Sequence, residues 1–223
     1  MLRYQIKLKL KTTIKNKLLA SAYLKRAELI YRNLRKKFNG EPEITISLFD
    51  DREEFCRAIG NGKNKAPDWL VAFIPSRSRS YIYIFDPAKK MSKKMVQILT
   101  HEICHIYLNI LNSSLPDWVK EGVAVYIAKQ VYFTTISVKD WHAIAPKKIP
   151  FQNTPWHKTI DYNGFNIAGL IISFFVERFG WNDFLRILRA YKKRETIYKT
   201  IVKIFPVYNV ESLIGELEEI YVK

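Results

Sequence analysis

The sequence is poor in the residues that cross-link small proteins or interrupt regular secondary structure. It contains two cysteines, Cys56 and Cys104, which are too few for a disulfide framework. They leave the redox compartment open and slightly favour reducing conditions. Only eight glycines and nine prolines occur in 223 residues, so long stretches are available for helices and strands. Because 48% of the residues are hydrophobic, the composition excludes a disordered chain and is typical of a compact globular protein.

The sequence also has no apolar run that approaches the length of a membrane-spanning helix. The longest run, Ile167 to Val176, is broken by Ser173 and is about half of the roughly 20 residues that a spanning helix needs. Residues Met1 to Lys17 alternate apolar and basic side chains and do not contain the continuous apolar core of a signal peptide. We therefore expect a cytoplasmic protein without a transmembrane segment.

Acidic residues are scarce relative to basic ones. The chain has 21 Asp and Glu against 37 Lys and Arg, which gives a net charge of +16. Such a charge favours acidic partners, for example nucleic acid, an anionic membrane surface or an acidic protein. The basic residues occur in short runs at 7–17, 32–37, 89–94 and 186–194. A spread of this kind is also typical of lysines that solvate helix surfaces, and both interpretations stay open.

The hydrophobic pattern of the first 90 residues predicts a mixture of helix and strand. Apolar positions at helical spacing run from Lys15 to Phe38 and end at Asn39-Gly40, which is a good helix stop. Alternation from Glu43 to Phe49 predicts a strand. Two further units are predicted here: a short helix from an N-cap at Asp50-Asp51 to Ile59, and a hairpin of strands Trp69–Ile74 and Tyr81–Phe85.

The remainder of the chain has mainly helical spacing. Helices are predicted at Ser92–Leu111, Pro116–Val131, Asn163–Phe179, Trp181–Tyr191 and in two shorter pieces near the C-terminus. Residues Phe133 to Asp161 contain three prolines and no clear period, which predicts a long loop. The sequence thus predicts one α+β domain over residues 1–223, with an α+β half at 1–90 and a mainly helical half at 91–223.

One motif in the predicted Ser92–Leu111 helix has the spacing of a metal site. Residues 101–105 read His-Glu-Ile-Cys-His, which matches H-E-x-x-H in a chain that has only four histidines. Residues four apart on a helix share one face, with Cβ atoms about 5–6 Å apart, so His101 and His105 can bind one metal ion. Glu102 projects to a neighbouring part of the surface, where it can hold a metal-bound water.

A catalytic zinc ion usually has three protein ligands and keeps its fourth position for water. The nearest candidate for the third ligand is Glu121, separated from His105 by fifteen residues, on a second predicted helix that starts near Pro116. Its apolar neighbours Val119 and Val123 predict a partly buried carboxylate, whose burial a metal ion would compensate. The alternative is an ordinary solvated carboxylate on a helix.

The H-E-x-x-H motif is followed by Pro116-x-Trp-x-x-Glu-Gly-x-Ala-x-Tyr126, and together they resemble the gluzincin branch of zinc metallopeptidases. The likeness is greatest to the small peptidase MA-like domains of that branch. It covers roughly Trp69 to Tyr191 and includes Asp161–Gly180, where these families place a Tyr before a long helix that ends in Gly.

This resemblance implies a zincin-like fold. The fold class predicted is therefore α+β, with a small mixed or antiparallel sheet followed by a mainly helical C-terminal half; the N-terminal helix comes from the hydrophobic pattern and lies outside the resemblance. It also implies one zinc ion per chain, bound by His101, His105 and Glu121, and hydrolysis of a peptide or protein substrate. Glu102 corresponds to the general base of the family and Tyr162 to its transition-state tyrosine.

Several alternatives remain open at this point. Tyr162 can instead have a packing role, and His142 or His157 can supply the hydrogen bond to the oxyanion. The charge of +16 suggests a DNA-associated metalloprotease of the SprT-like family, although that family has a third His soon after the motif. A non-catalytic, zinc-containing basic binding protein is the third possibility, and the intact Glu102 argues against it.

Overall fold

The computed structural model describes residues 8–12, 17–60, 66–68, 70–75, 80–86, 92–146, 148–152 and 154–223. Contacts within the chain group it into two compact units, Met1–Ile110 and Leu111–Lys223. The first unit contains a small mixed sheet with helices, and the second is mainly helical. The structure therefore confirms the predicted α+β class.

The sheet contains four described strands, β1 (Leu8–Thr12), β2 (Ile44–Phe49), β3 (Ala72–Phe73) and β4 (Tyr81–Phe85). Their order is β1-β2-β4-β3; β1 and β4 are parallel to β2, and β3 is antiparallel to β4. The β3–β4 pair confirms the predicted antiparallel partners, with a shorter first strand. Trp69 and the connecting residues 76–79 lie outside the described residues.

The strand β1 was not predicted, although its residues alternate. Leu8 lies opposite Ile44 and Leu10 opposite Ile46, while Lys9 and Lys11 belong to the other face of the sheet. Ile44 and Ile46 are 1% exposed, so the face that they share is part of the core. In the sequence, this alternation indicates only that the segment is not a signal peptide.

The first two helices agree with the prediction over the described residues, whereas the predicted start of the first helix, Lys15 and Asn16, lies outside them. Helix α1 (Lys17–Phe38) ends at Asn39, whose amide donates to the Arg35 carbonyl at 2.9 Å and whose φ is 52°. Helix α2 (Arg52–Ala58) begins at Asp51, which accepts a hydrogen bond from the Glu54 amide at 2.8 Å.

The other helices are α3 (Lys93–Leu111), α4 (Asp117–Ile127), α5 (Val138–Ile144), α6 (Gly164–Ala190), α7 (Ile197–Ile204) and α8 (Val210–Tyr221). Helix α4 ends four residues earlier than predicted, since Lys129 adopts a left-handed φ of 55°. Helix α6 is kinked at Gly180, where φ is 74° and ψ is 157°. The kink separates the two helical segments that the sequence predicts on either side of this glycine.

The prediction of a long loop at Phe133–Asp161 was wrong, because this segment contains α5 and 3-10 turns at Trp156–Lys158 and Ile160–Tyr162. Ser137 caps α5 by accepting a hydrogen bond from the Asp140 amide at 3.1 Å. Trp141 is buried, and its Nε1 donates to Glu218 at 2.7 Å. Helix α5 has only seven residues, too few for a helical period to stand out beside three prolines.

Candidate metal centre

Helix α3 carries both histidines of the motif. The Ser92 hydroxyl accepts a hydrogen bond from the Met95 amide at 3.2 Å, which caps the start of the helix. The buried residues of α3 are Met95, Leu99, Ile103, Cys104, Ile106, Tyr107 and Leu108. His101 and His105 lie outside this set and are partly exposed, so their rings remain accessible to a ligand.

Tyr107 fixes α3 against α1 within the first unit. Its hydroxyl donates to the Tyr31 carbonyl at 3.2 Å, and its ring stacks on Phe38 with a centroid distance of 5.4 Å. Burial, and then the proximity of Tyr31, raises the pKa of Tyr107, so the hydroxyl keeps the proton that it donates. An anchored helix cannot rotate about its axis, and this fixes the direction in which His101 and His105 project.

The rings of His101 and His105 face the same point. Their Nε2 atoms are 3.0 Å apart, and the ring planes make an angle of 67° with centroids 4.7 Å apart. The spacing of one helical turn produces this approach, as the sequence predicts. In the absence of a metal ion, two nitrogens at this distance need a hydrogen bond in which one imidazole N–H donates to the other ring. When a metal ion is bound, both nitrogens can direct their lone pairs at the ion.

Helix α4 carries Glu121, the third predicted ligand. Pro116 is the N-cap of this helix, one residue before the first-turn position that the sequence suggests. The turn before it is held by Asn112, whose Nδ2 donates to the carbonyls of Leu188 and Tyr191, each at 2.9 Å. Glu121 is partly buried, as its apolar neighbours predict.

Two glycines allow α4 and α6 to approach closely. A Cβ on Gly122 would lie 2.7 Å from the Ala168 carbonyl oxygen, and one on Gly169 would lie 2.7 Å from Val125 Cγ1. No other residue type fits at either position without a shift of the backbone or of a neighbouring side chain. The contact therefore fixes the helix that holds Glu121, the residue directly before Gly122.

One ligand atom from each of His101, His105 and Glu121 lies within 4.8 Å of the other two. In the part of the chain that the structure describes, no second group of three or more His, Cys, Asp or Glu side chains has ligand atoms this close together. Ligand atoms around a tetrahedral zinc ion lie about 3.3–3.5 Å apart, because each lies about 2.0–2.2 Å from the ion. Small side-chain movements therefore suffice, and the donor set of two imidazoles and one carboxylate fits zinc with one position open.

The side chains of Glu102 and Cys104 lie outside this group of ligand atoms. Glu102 follows His101 directly in the sequence, and its side chain is partly exposed. Cys104 is 0% exposed and packs in the core. The thiol within the motif is therefore a core residue.

Tyr162 lies in the second 3-10 turn, immediately before α6. Its amide donates to the Thr159 carbonyl at 3.0 Å, and its side chain is 37% exposed. The following residue, Asn163, adopts a left-handed φ of 56° and donates from its side chain to Asp140 at 2.9 Å. The turn thus has a defined conformation, and Tyr162 is partly exposed in it. His142 and His157, the other two histidines, are both exposed.

A chain of aromatic contacts begins on α4, one turn before Glu121. Trp118 stacks on Phe151 at 5.0 Å, Phe151 contacts Trp156 at 5.8 Å, and Trp156 meets Phe165 edge-on at 5.0 Å. The sequence shows these aromatic residues in and around the segment that was predicted to be a loop, but gives no pairing. Their contacts join this segment to α4 and α6 and support the position of Glu121.

No protein-family model, curated protein sequence or solved structure matches this chain. Among the residues that the structure describes, no helix has both the length and the apolar character needed to cross a membrane.

Proposed function

We propose that this protein is a zinc-dependent metallopeptidase that hydrolyses peptide bonds. The observation that carries the proposal is the convergence of the two histidine nitrogens and the Glu121 carboxylate within 4.8 Å, with Glu102 next to His101. The set of three protein ligands is typical of catalytic zinc, which keeps its fourth position for water. The gluzincin-like pattern of the sequence supports the same function.

Each residue of the site has a separate chemical role in this proposal. His101 and His105 bind the ion as neutral imidazoles, and Glu121 adds one negative charge and completes the protein ligands. When bound, zinc supplies Lewis acidity, which lowers the pKa of a coordinated water and polarises a carbonyl oxygen.

Glu102 is the general base. Its carboxylate accepts a proton from the attacking water and then transfers this proton to the nitrogen of the leaving amine. Tyr162 donates a hydrogen bond from its hydroxyl to the oxygen on which negative charge develops.

A purely structural zinc site is less consistent with these residues. Structural sites are usually closed by four ligands and favour cysteine. Here the cysteine of the motif, Cys104, is fully buried and outside the ligand group. An accessible carboxylate beside a three-ligand set is typical of hydrolytic sites.

The direct test combines metal analysis with a hydrolysis assay. We expect elemental analysis to find about one zinc per chain, and we expect the protein to cleave members of a quenched fluorescent peptide library. Removal of the metal with a chelator should abolish cleavage, and added zinc should restore it. Absence of stoichiometric metal after resupply would refute the site, and bound zinc without any cleavage would favour a non-catalytic role.

A further inference from the structure

The positive charge of this protein is concentrated at one end of the sequence. Residues 1–38 contain twelve Lys and Arg and one acidic residue, Glu28, so they carry +11 of the total charge of +16. The other 185 residues carry the remaining +5. An asymmetry of this size suggests that the N-terminal part of the chain, which carries most of the charge, binds a polyanion.

Helix α1 presents much of this charge on its outward face. Its apolar face is buried through Leu19, Tyr23, Ala27, Ile30, Tyr31, Leu34 and Phe38. On the opposite side, Lys25, Arg32 and Lys36 are all exposed. At about 100° per residue they lie within about 40° of one another around the helix axis, and they span about 16 Å along it. They form a straight row of three cations.

A groove of about 960 Å³ lies at the C-terminal end of this row. Its charged lining consists of Arg32, Arg35, Lys36 and Glu41, and the carboxylate of Glu41 is paired with Arg35. The amide side chains of Asn33 and Asn39 also line it. Arg32 and Lys36 therefore leave an excess of positive charge beside neutral hydrogen-bond donors.

We propose that the outward face of α1 and this groove bind the phosphodiester backbone of nucleic acid. Cations in a row neutralise successive phosphates and release their counterions, and Asn side chains donate hydrogen bonds to phosphate oxygens. We expect this binding to be independent of base sequence, because the described residues of this face contact phosphates, and phosphate contacts carry no sequence information.

The helix dipole does not account for the row. Cations in the last turn of a helix, such as Lys36, are favoured by the negative end of the dipole. Lys25 and Arg32 lie farther from that end, where the effect has decayed. The nearby carboxylate of Glu28 lies 4.0 Å from Arg32, at the limit of an ion pair, and both side chains are substantially exposed.

A membrane surface fits the same face less well. An interfacial helix inserts a broad apolar face into the bilayer, and the apolar face of α1 is already buried in the protein. The large apolar side chains exposed on α1 are Leu18 and Leu29, which are 84% and 48% exposed. Two leucines among cations provide little apolar surface for insertion into a bilayer. Binding of phosphate groups requires only the cations of this face.

The test is a titration of the full-length protein into a fluorescein-labelled 20-mer, single-stranded or duplex, followed by anisotropy at several salt concentrations. The variant K25Q/R32Q/K36Q removes the row. The matched control K139Q/K158Q/K193Q removes the same charge from exposed positions of the second unit. Melting curves of both variants establish that they are folded.

We expect the wild type to bind, and we expect the row variant to bind at least about tenfold more weakly at 0.1 M salt. The slope of log K against log salt should fall by about 2–3, since each phosphate contact contributes about 0.7–0.9. The control variant should bind within about threefold of the wild type, because its charges lie outside the row.

Three outcomes would overturn the proposal. In the first, the wild type does not bind either 20-mer at 50 mM salt. In the second, both variants lose affinity equally, which would indicate a non-local charge effect. In the third, the protein sediments with phosphatidylserine vesicles but does not bind nucleic acid. The readout is binding, so the result is independent of the proposed peptidase activity.

Discussion

The Nε2 atoms of His101 and His105 lie 3.0 Å apart, one helical turn from each other on α3. This distance is close to the separation of about 3.3 Å that two nitrogen ligands of a tetrahedral zinc ion require. Tyr107, two residues beyond His105, fixes the rotation of the helix by its hydrogen bond to Tyr31. The histidine pair is therefore preorganised, and the third ligand decides whether it forms a metal site.

The first prediction concerns that third ligand, Glu121. Replacing it by Ala should lower the zinc affinity by at least about 100-fold, because the loss of a direct ligand costs more than the 10–100-fold typical of an outer-shell partner. Elemental analysis after dialysis against a zinc buffer measures the effect. Glu219→Ala, at an exposed position on α8, is the control and should retain its zinc. If Glu121→Ala binds zinc as tightly as the wild type, the ligand assignment is wrong.

The second prediction separates a base from a ligand at position 102. Glu102→Gln keeps the size of the side chain but removes its basicity, so zinc content should stay unchanged while kcat for peptide hydrolysis falls by about 10²–10⁴-fold. Glu219→Gln should leave both quantities unchanged. Loss of zinc in Glu102→Gln would identify a ligand instead, and full activity would exclude a general base at this position.

The third prediction tests the role of the Tyr162 hydroxyl. In Tyr162→Phe, kcat should fall by about 10²–10³-fold, the usual cost of losing one oxyanion donor, while KM, zinc content and Tm change little. Tyr132→Phe is a suitable control, since Tyr132 is 71% exposed. An unchanged kcat with a lower Tm would assign Tyr162 a packing role.

The sequence predicted best what depends on local periodicity. The spacing of His101 and His105 and the apolar face of α3 both follow from 3.6 residues per turn, and the structure has the helix at these positions. Strand β1 was missed because its alternating lysines resemble a solvated terminus, and its pairing with Ile44 and Ile46 is non-local. Helix α5 was missed because its stability depends on Trp141, whose partner Glu218 lies 77 residues away.

The packing of α4 on α6 also could not be predicted, because a glycine in a helix is ordinarily unfavourable. In the sequence, Gly122 belongs to the pattern that follows the H-E-x-x-H motif, but the pattern gives no packing partner for it. In the structure, a glycine is required at this position, since a Cβ would lie 2.7 Å from the Ala168 carbonyl oxygen and 2.8 Å from Ile172 Cγ1. The position of Glu121 thus depends on the small size of its neighbour.

The fourth prediction follows from this contact. Gly122→Ala should destabilise the protein by about 1–3 kcal/mol, because α4 must move away from a backbone atom of α6 to accommodate the methyl group. The movement should displace Glu121 and weaken zinc binding as well. Thermal melting of the metal-free protein and a zinc titration measure the two effects separately.

The matched control for this prediction is Gly215→Ala on α8. A Cβ at Gly215 meets nothing within 4 Å, so the same substitution should stabilise the protein by about 0.5–1 kcal/mol through the higher helix propensity of Ala. Opposite signs at the two glycines would show that close helix packing, rather than propensity, decides the residue at position 122. If Gly122→Ala melts at or above the wild-type temperature and binds zinc normally, the contact between α4 and α6 does not hold Glu121 in place.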